Sequence, residues 1–329
     1  MQEKHCSIGV DLGGTNLKIA VYRKPDYTKI YERRAPVQSD DAWEYILERI
    51  HAEITNVFDF SGIPLADTAC IGMGIPGLLD SSAGVSLFSP NFAHWKNVPI
   101  VSWLQERIPL PVFIDNDVRV NLYGEWLYGA GKGKQNIVLI TLGTGLGAAV
   151  IADGHVLCGA TASAGEIGHM HMVHDGRPCS CGSSGCLGRY VSARGMVRTF
   201  KEKLAAGQSS VVAQWVQGDP EKITALMISQ AYDLHDAAAE STMCETGELL
   251  GWGLVNVINL YNPELIIIGG GMAAAGERLL GPARSIVAAH ALAIPRERCR
   301  IVLAALGDAA GMLGAALYAD WRLSHGITQ

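Results

Sequence analysis

The sequence has no long apolar run and no excess of positive charge. Its longest apolar stretch, residues 265–276, is shorter than a membrane span and contains three successive glycines. Residues 1–5 are polar, and the apolar residues after them are interrupted at Asp11, so no signal-peptide core is expected. The 26 basic and 32 acidic side chains give a net charge of −6. These features predict a soluble, cytoplasmic protein whose partners are neither nucleic acid nor a membrane.

Low-complexity linkers are also missing from the 329 residues, of which 49 % are hydrophobic. This length and apolar content predict two domains, each with its own core. Strands alternate with helices, which indicates an α/β fold with largely parallel sheets. Residues 7–22 and 136–151 both have the pattern strand, glycine turn, strand, as in a weak internal repeat. The repeat predicts two similar lobes around a cleft that acts as a hinge.

The first glycine turn, residues 11–15, has the composition of a phosphate-binding loop. Gly13 and Gly14 allow consecutive backbone N–H groups to point at phosphate oxygens, and Thr15 adds a hydroxyl. Asp11 is placed to hold Mg²⁺ through water. A plain tight turn explains one such hairpin equally well. A second glycine turn at residues 143–147 favours two phosphate clamps, which suit a triphosphate.

The second turn also fits the dinucleotide-binding fingerprint over residues 143–148, with Glu166 near the expected downstream acid. That fingerprint requires a helix directly after the glycines. Residues 149–157 instead predict strand, turn, strand. An NAD-dependent enzyme is therefore not expected.

Asn116 and Asp117 stand between a predicted strand and a predicted helix, where α/β folds present active groups. Phosphoryl transfer needs a base that accepts the proton of the acceptor hydroxyl, a metal on the phosphates and in-line positioning. Asp117 suits the base and Asn116 suits a contact with a sugar hydroxyl. The alternative is that Asp117 only caps its helix.

Three of the eight cysteines crowd into residues 179–186, ten positions after His169. Three thiolates and an imidazole form a closed tetrahedral zinc site with no position for water, so the site is expected to be structural. The predicted ligands are His169, Cys179, Cys181 and Cys186. His171 and His174 are rival ligands by distance, and unliganded thiols are the other alternative.

Taken together, these motifs resemble the ROK family, which contains bacterial glucokinases, fructokinases, allose and N-acetylmannosamine kinases, and sugar-responsive repressors. The resemblance extends over essentially the whole chain. The residues that carry it are 11–18, 116–117, 142–147, 165–169, 179–186 and 268–271.

The resemblance implies an α/β fold of two actin/hexokinase-like (ribonuclease H-like) lobes around a central cleft. The N-terminal lobe would comprise residues 1–117 and about 310–329. The C-terminal lobe would comprise residues 118–309, with a zinc-binding loop at 165–190. Members of the family are commonly dimers or tetramers, so a homodimer or homotetramer is expected.

The implied activity is phosphorylation of a hexose by Mg-ATP, with glucose and its 6-hydroxyl as the family default; allose, fructose or N-acetylmannosamine are the alternatives. By resemblance Asp117 is the general base, and the zinc ligands include His169. The implied sugar contacts are Gly77, Asn91, Asn116, Asp117, Glu166 and His169. The implied ATP-binding residues are Asp11, Gly13, Gly14, Thr15, Lys18, Thr144, Gly145, Gly270 and Gly271.

One position departs from the family pattern. Relatives usually have Glu two residues after the last zinc cysteine, where it accepts hydrogen bonds near the anomeric end of the sugar, and this chain has Gly188 there. An altered sugar preference is therefore expected. Two competing functions remain: a sugar-responsive repressor, for which Asp11 leaves no room for a preceding winged helix, and a non-catalytic sugar-binding module.

Overall fold

The computed structural model describes residues 4–326, in which strands and helices alternate. The strands are β1 Cys6–Leu12, β2 Asn16–Arg23, β3 Thr28–Pro36, β4 Thr68–Ile75, β5 Leu78–Asp80, β6 Val85–Phe88, β7 Lys96–Val98, β8 Val112–Asn116, β9 Ile137–Leu142, β10 Leu146–Ala152, β11 His155–Val156, β12 Leu265–Gly269 and β13 Arg300–Leu303. The helices are α1 Trp43–Ser61, α2 Ile100–Gln105, α3 Asp117–Tyr128, α4 Gly188–Val191, α5 Ala193–Ala205, α6 Val211–Trp215, α7 Ala225–Tyr232, α8 Ala237–Tyr261, α9 Glu277–His290, α10 Ala293–Arg298 and α11 Ala310–Ser324.

By internal contacts the chain divides into two compact units. The N-terminal unit consists of Met1–Gly133, Cys158–Ala164 and Ala305–Gln329, and the C-terminal unit consists of Lys134–Leu157 and Gly165–Ala304. Compact units are defined by packing, whereas a domain is a part of the chain that folds by itself. The domain division expected from the sequence, with its boundary after residue 117, therefore stays a prediction.

Each unit contains a five-stranded sheet with the same topology. The strand orders are β3-β2-β1-β4-β8 and β11-β10-β9-β12-β13. In both sheets the first three strands in chain order form antiparallel hairpins, and the last two strands join by parallel pairing. The α/β class is confirmed, and the predicted repeat appears as this shared strand order. The sheets are mixed rather than largely parallel, because the hairpins occupy half of each sheet.

Hydrophobic burial explains the central elements of the N-terminal unit. Every residue of β4 is buried, as expected for a strand covered on both faces. Helix α1 buries the apolar stripe that its 3.6-residue period predicts. It ends at Gly62, whose φ of 70° is the left-handed conformation typical of a helix C-terminus. The buried stripe consists of Ile46, Leu47, Ile50, Ile54 and Val57.

Helix α11 lies directly on the backbone of the first sheet. A Cβ atom added at Gly9 of β1 would come 1.8 Å from the Met312 oxygen, and one added at Gly72 of β4 would come 1.8 Å from the Ala315 oxygen. Both strands therefore require glycine where the helix crosses them. This close approach fixes α11 relative to β1 and β4.

Several boundaries differ from those that the sequence suggests. The apolar pattern of the sequence predicts helices at 221–229 and 232–260, but α7 and α8 begin later, because Thr224 and Asp236 cap them through their side chains. The same pattern does not predict the strands β3 and β5–β7. They are short or half-exposed, so their hydrophobic period is weak. Among residues 4–326, each helix is too short or too polar to span a bilayer.

We expect Gly72→Ala to lower the free energy of unfolding by about 3 kcal/mol or more, because the new methyl group overlaps the backbone of α11. Chemical denaturation followed by circular dichroism measures this change. Gly281→Ala, in α9 with no heavy atom within 4 Å of the added Cβ, is the matched control. That control should change stability by less than about 1 kcal/mol, because the gain in helix propensity is opposed by Pro282, which disfavours a helical backbone at the residue before it. Equal stability of the two variants would contradict the close packing of α11.

Candidate active site and metal centre

The junction between β8 and α3 carries the predicted catalytic residue. The N-cap of α3 is Asn116, whose Oδ1 accepts from the backbone N–H groups of Val118 (3.0 Å) and Arg119 (3.3 Å). Asp117 is the first helical residue and is half-buried, and its Oδ1 accepts from the Val118 N–H at 3.0 Å. Capping is therefore the task of Asn116, and the alternative that Asp117 serves only as the N-cap is wrong.

The N-terminal unit brings several predicted sugar-contact residues to this junction. The Asn116 side-chain Nδ2 donates to the Gly77 carbonyl oxygen at 3.1 Å. Gly77 has a φ of 103°, and a Cβ there would lie 2.2 Å from the Phe88 oxygen, so only glycine fits. Asn91 is adjacent to the first glycine turn: a Cβ atom added at Gly14 would lie 3.4 Å from the Cβ atom of Asn91. The N-terminal unit thus holds Gly77 and Asn116 together at the junction and Asn91 beside the predicted phosphate loop.

The first glycine turn, which is the predicted phosphate loop, joins β1 to β2 and has a charged network beside it. Lys18 Nζ lies 3.8 Å from the Asp11 carboxylate and 3.6 Å from the carboxylate of Asp308. Burial raises the pKa of Asp11, while the Lys18 ammonium lowers it and the Asp308 charge raises it further. Gly311 of α11 leaves space for Asp11, since a Cβ there would lie 2.9 Å from its Cγ.

Sequence reasoning did not identify Asp308 as a member of this network. An acidic residue between a glycine and a helix N-terminus was the signal that could have indicated it.

The second glycine turn, residues 143–147, lies in the C-terminal unit between β9 and β10. A strand, not a helix, follows it directly. This is the strand–turn–strand arrangement that excludes the dinucleotide-binding fingerprint. Gly270 has a φ of 82°, and a Cβ there would lie 2.4 Å from the Leu142 oxygen. The structure therefore brings the Gly270–Gly271 segment against the start of the turn that contains Thr144 and Gly145.

The predicted zinc ligands converge in the C-terminal unit. The ligand atoms of His169, Cys179, Cys181 and Cys186 all lie within 4.8 Å of one another. Two separations, Cys179 Sγ to His169 Nδ1 and Cys181 Sγ to Cys186 Sγ, are both 3.7 Å. Zinc–sulfur bonds of about 2.3 Å and zinc–nitrogen bonds of about 2.0 Å give tetrahedral edges of about 3.5–3.8 Å. The arrangement therefore fits a tetrahedral zinc ion.

The thiols of Cys179 and Cys186 differ in how readily they ionise. Burial opposes ionisation of Cys179, but hydrogen bonds from Cys181, Cys186 and His169 lower its pKa. Burial and the neighbouring thiols raise the pKa of Cys186. Three thiolates at this distance repel one another, so full ionisation requires a cation among them.

The rival histidines are engaged elsewhere. His171 Nδ1 lies 2.7 Å from the Ser184 carbonyl oxygen, and His174 Nδ1 lies 2.9 Å from the Asp175 carboxylate. Among the described residues, neither belongs to the cluster around Cys179. The choice of His169 over the two rivals agrees with the geometry.

The two ring nitrogens of His169 face different groups. Its Nδ1 faces Cys179, and its Nε2 lies 4.0 Å from the Glu166 carboxylate, beyond hydrogen-bond distance. Both side chains are about half exposed, at 45 % and 54 %. With Nδ1 on a metal, the Nε2–H group would be a donor beside a carboxylate acceptor, which is a pair suited to a hydroxyl group.

Hydrogen bonds of Arg177 also hold the loop of residues 165–190 that contains the three cysteines, and they do not involve a metal. The Arg177 guanidinium donates to the carbonyl oxygens of Arg189 (3.1 Å) and Gly195 (3.2 Å) and to Thr199 Oγ1 (2.9 Å). It also forms an ion pair with Glu202 of α5. Arg177, two residues before Cys179, therefore anchors this loop to α5. Sequence reasoning did not identify Arg177.

Known proteins match this chain along nearly its whole length. The ROK family profile matches residues 7–321. A glucokinase from Halalkalibacterium halodurans is 34 % identical over 312 residues, which are 93 % of this chain and 92 % of that enzyme. A ROK family glucokinase from Streptomyces griseus, solved with glucose and AMPPNP, has 31 % identity and a TM-score of 0.82, covering 96 % of this chain and 99 % of that one.

Regulators of the same family match as well. A ROK family transcriptional regulator, a homologue of the E. coli MLC protein, has 28 % identity and a TM-score of 0.85, covering 96 % of this chain and 78 % of that one. On these sequence and structural similarities, the chain belongs to the ROK family and has its actin/hexokinase-like fold.

Proposed function

We propose that this protein is an ATP-dependent hexose kinase with Asp117 as the general base. The observation that carries the proposal is the junction of β8 and α3, where Asn116 caps the helix and the half-buried carboxylate of Asp117 stands at the start of its first turn. The whole-length similarity to glucokinases, one of them solved with glucose and AMPPNP, supports the class of reaction. We propose glucose as the acceptor and its 6-hydroxyl as the site of transfer.

In this proposal Asp117 accepts the proton of the sugar hydroxyl as that oxygen attacks the γ-phosphorus of ATP. The oxygen–phosphorus bond to ADP breaks as the new one forms, and the proton remains on the carboxyl group. Gly77, Asn91 and Asn116 are proposed to orient the sugar from the N-terminal unit. Glu166 and His169 are proposed as further sugar contacts.

The two glycine turns are proposed to bind ATP. Backbone N–H groups of Gly14 and Thr15 would face phosphate oxygens, as would those of Thr144 and Gly145 in the second turn. The Gly13 N–H closes the first turn by donating to the Asn16 oxygen at 2.8 Å, so Gly13 is proposed to let the phosphates approach the backbone closely. Gly270 and Gly271, which pack against that second turn, are proposed to contact the nucleotide. The Mg²⁺ ion that accompanies ATP would neutralise phosphate charge, and Asp11 is proposed to hold it through water, with Lys18 beside it.

The cysteine cluster is proposed to hold a structural zinc ion. Four protein ligands fill the tetrahedron, so no position is left for a water molecule or a substrate. The zinc would fix His169 with its Nε2 directed away from the metal. In this way the cluster would orient a sugar contact without taking part in the transfer.

The identity of the sugar is proposed to depend on Gly188. An added Cβ there would lie 3.2 Å from the Gly168 oxygen and 3.4 Å from Leu146 Cβ, so a small shift would admit a larger side chain. A carboxylate at this position, as relatives have, would supply an acceptor worth about 1.5–3 kcal/mol to a hydroxyl group. Without it, allose, fructose or an N-acetylhexosamine are the alternative acceptors.

The similarity to a transcriptional regulator supports a second candidate, a sugar-responsive repressor. Fold similarity does not separate the two candidates, because kinases and regulators of the family share this fold. Chemistry does, because a sensor only binds the sugar, whereas a kinase must also remove a proton from it. Sugar-dependent ATP turnover is therefore the deciding measurement.

Asp117→Asn should lower sugar-dependent ATP turnover by about 10²- to 10⁴-fold, the usual contribution of a general base. The assay couples ADP formation to a panel of hexoses, and calorimetry measures sugar binding in parallel. Binding should persist, because the amide keeps the size of the carboxylate. Turnover that survives at the wild-type rate would exclude Asp117 as the base. A wild-type protein that binds sugar without turnover would favour the repressor or a binding module.

Gly188→Glu should change the ranking of sugars in the same assay, with glucose gaining relative to the alternatives. Gly188→Ala is the matched control, because it adds the same Cβ atom without the carboxylate. The alanine variant should keep the wild-type ranking. If both variants rank the sugars as the wild type does, Gly188 has no part in specificity.

The purified protein should contain about one zinc ion per chain, measured by mass spectrometry of the metal. Cys181→Ser should abolish this zinc and raise the KM for the sugar, because His169 loses its orientation, while the KM for ATP changes little. Cys244→Ser, at an exposed cysteine outside the cluster, is the control and should keep the zinc. A zinc-free wild-type protein with normal sugar affinity would refute the site.

A further inference from the structure

A buried ion pair lies beneath the β8–α3 junction. Asp115, on β8, and Arg119, on α3, both have side chains that are only 5 % exposed, and the Arg119 Nη2 group forms an ion pair with Asp115 Oδ1. Burial lowers the pKa of Arg119, but the Asp115 carboxylate outweighs this effect and raises the pKa overall. Buried ion pairs contribute little net stability compared with apolar side chains of the same volume. The pair therefore calls for an explanation other than stability.

The Asp115 carboxylate links the Arg119 guanidinium to the backbone N–H of Asn116, the residue before the proposed base. Asp115 Oδ1 accepts from Arg119 Nε at 2.7 Å and from the Asn116 backbone N–H at 2.7 Å. It also accepts from Ser81 Oγ at 3.2 Å. The peptide that joins Asp115 to Asn116 is thereby fixed, and Asn116 in turn caps the helix that begins with Asp117.

The other terminal nitrogen of the Arg119 guanidinium contacts the segment around Ala162. Its Nη1 donates to the Ala162 carbonyl oxygen at 2.6 Å. Ala162 belongs to Cys158–Ala164, the segment of the N-terminal unit that is flanked on both sides by residues of the C-terminal unit. We call residues 158–164 the crossing segment. It contains no helix or strand, and residues 158–161 are exposed.

The hydrogen bonds described within the crossing segment are local, such as that from Ser163 Oγ to the Thr161 oxygen at 3.1 Å. Its ends are joined by a hydrogen bond from the Ala164 N–H to the Cys158 oxygen at 2.9 Å. Ala162 itself has a φ of 53°, which is unfavourable for alanine and requires an external restraint. The buried guanidinium supplies such a restraint. The next residues along the chain are Gly165 and Glu166, the latter a proposed sugar contact.

We propose that Arg119 is a positioning residue that holds the Asp117 junction and the crossing segment in fixed places with one guanidinium. It acts through Asp115 on one side and through the Ala162 carbonyl on the other, and it does not touch the substrate. The kinetic part of this inference rests on the proposed kinase function, whereas the structural part does not. Arginine is required because its planar fork donates in several directions, whereas a lysine ammonium on a flexible chain cannot maintain both contacts.

The experiment compares hydrogen–deuterium exchange of the crossing segment in Arg119→Lys and in the wild type, using the full chain. Lysine keeps the charge next to Asp115, so no carboxylate is left buried alone. Exchange of peptides that cover residues 158–164 should become about tenfold faster, as expected when a charge-assisted hydrogen bond is lost.

Arg322→Lys is the matched control. Arg322 is also a buried arginine of the N-terminal unit, and its Nη1 donates to Tyr318 Oη at 2.8 Å. This variant should leave exchange of the crossing segment unchanged. The double variant Asp115→Asn with Arg119→Gln removes both charges together, and it should reproduce the faster exchange if Arg119→Lys does not fold. Unchanged exchange in the variants of Arg119, or equal acceleration in Arg322→Lys, would overturn the inference.

Kinetics provide the second readout. Arg119→Lys should raise the KM for the sugar at least about fivefold while the KM for ATP stays within about twofold, because one charge-assisted hydrogen bond is lost on the sugar side. A loss of folded protein alone would lower kcat and leave both KM values unchanged, which would count against a positioning role. If the wild type turns over no sugar, the proposed function fails, and the exchange experiment alone decides the role of Arg119.

Discussion

The contact of helix α11 with the backbone of the first sheet is the constraint on which the N-terminal unit depends. The helix reaches β1 and β4 only because glycines stand at the crossing points. The same helix packs against α3, where a Cβ on Gly314 would lie 1.7 Å from the Val120 oxygen. Asp11 lies on β1 and Asp117 on α3, and α11 packs against both elements. Helix α11 therefore sets the positions of the predicted phosphate loop and of the proposed base, and a small shift of α11 would move both.

Local chemistry made part of this site readable from the sequence. Glycine turns between alternating apolar residues identified both hairpins, and the spacing from His169 to Cys186 identified a cluster that the structure assembles. Both signals are contained in fewer than twenty consecutive residues. The class of fold followed from the alternation of strands and helices, and the family from the combination of motifs.

The features of the site that the sequence does not predict depend on contacts between residues that are distant along the chain. Glu125 has the sequence context of an ordinary helical residue, yet it is buried and accepts from the backbone N–H groups of Ala305 and Leu306. The role of Arg119 depends on Ala162, which is 43 positions away. No periodicity or spacing rule predicts such long-range pairings.

The discontinuity of the N-terminal unit has a consequence for biosynthesis. Its sheet strands precede residue 134, but α11, the helix that covers β1 and β4, follows the whole C-terminal unit in the sequence. On the ribosome the C-terminal unit is therefore complete in sequence before the N-terminal one. If the first sheet forms before α11 emerges, the face that α11 covers is exposed for the time that the C-terminal unit takes to be synthesised, and we expect such apolar surface to be prone to aggregation.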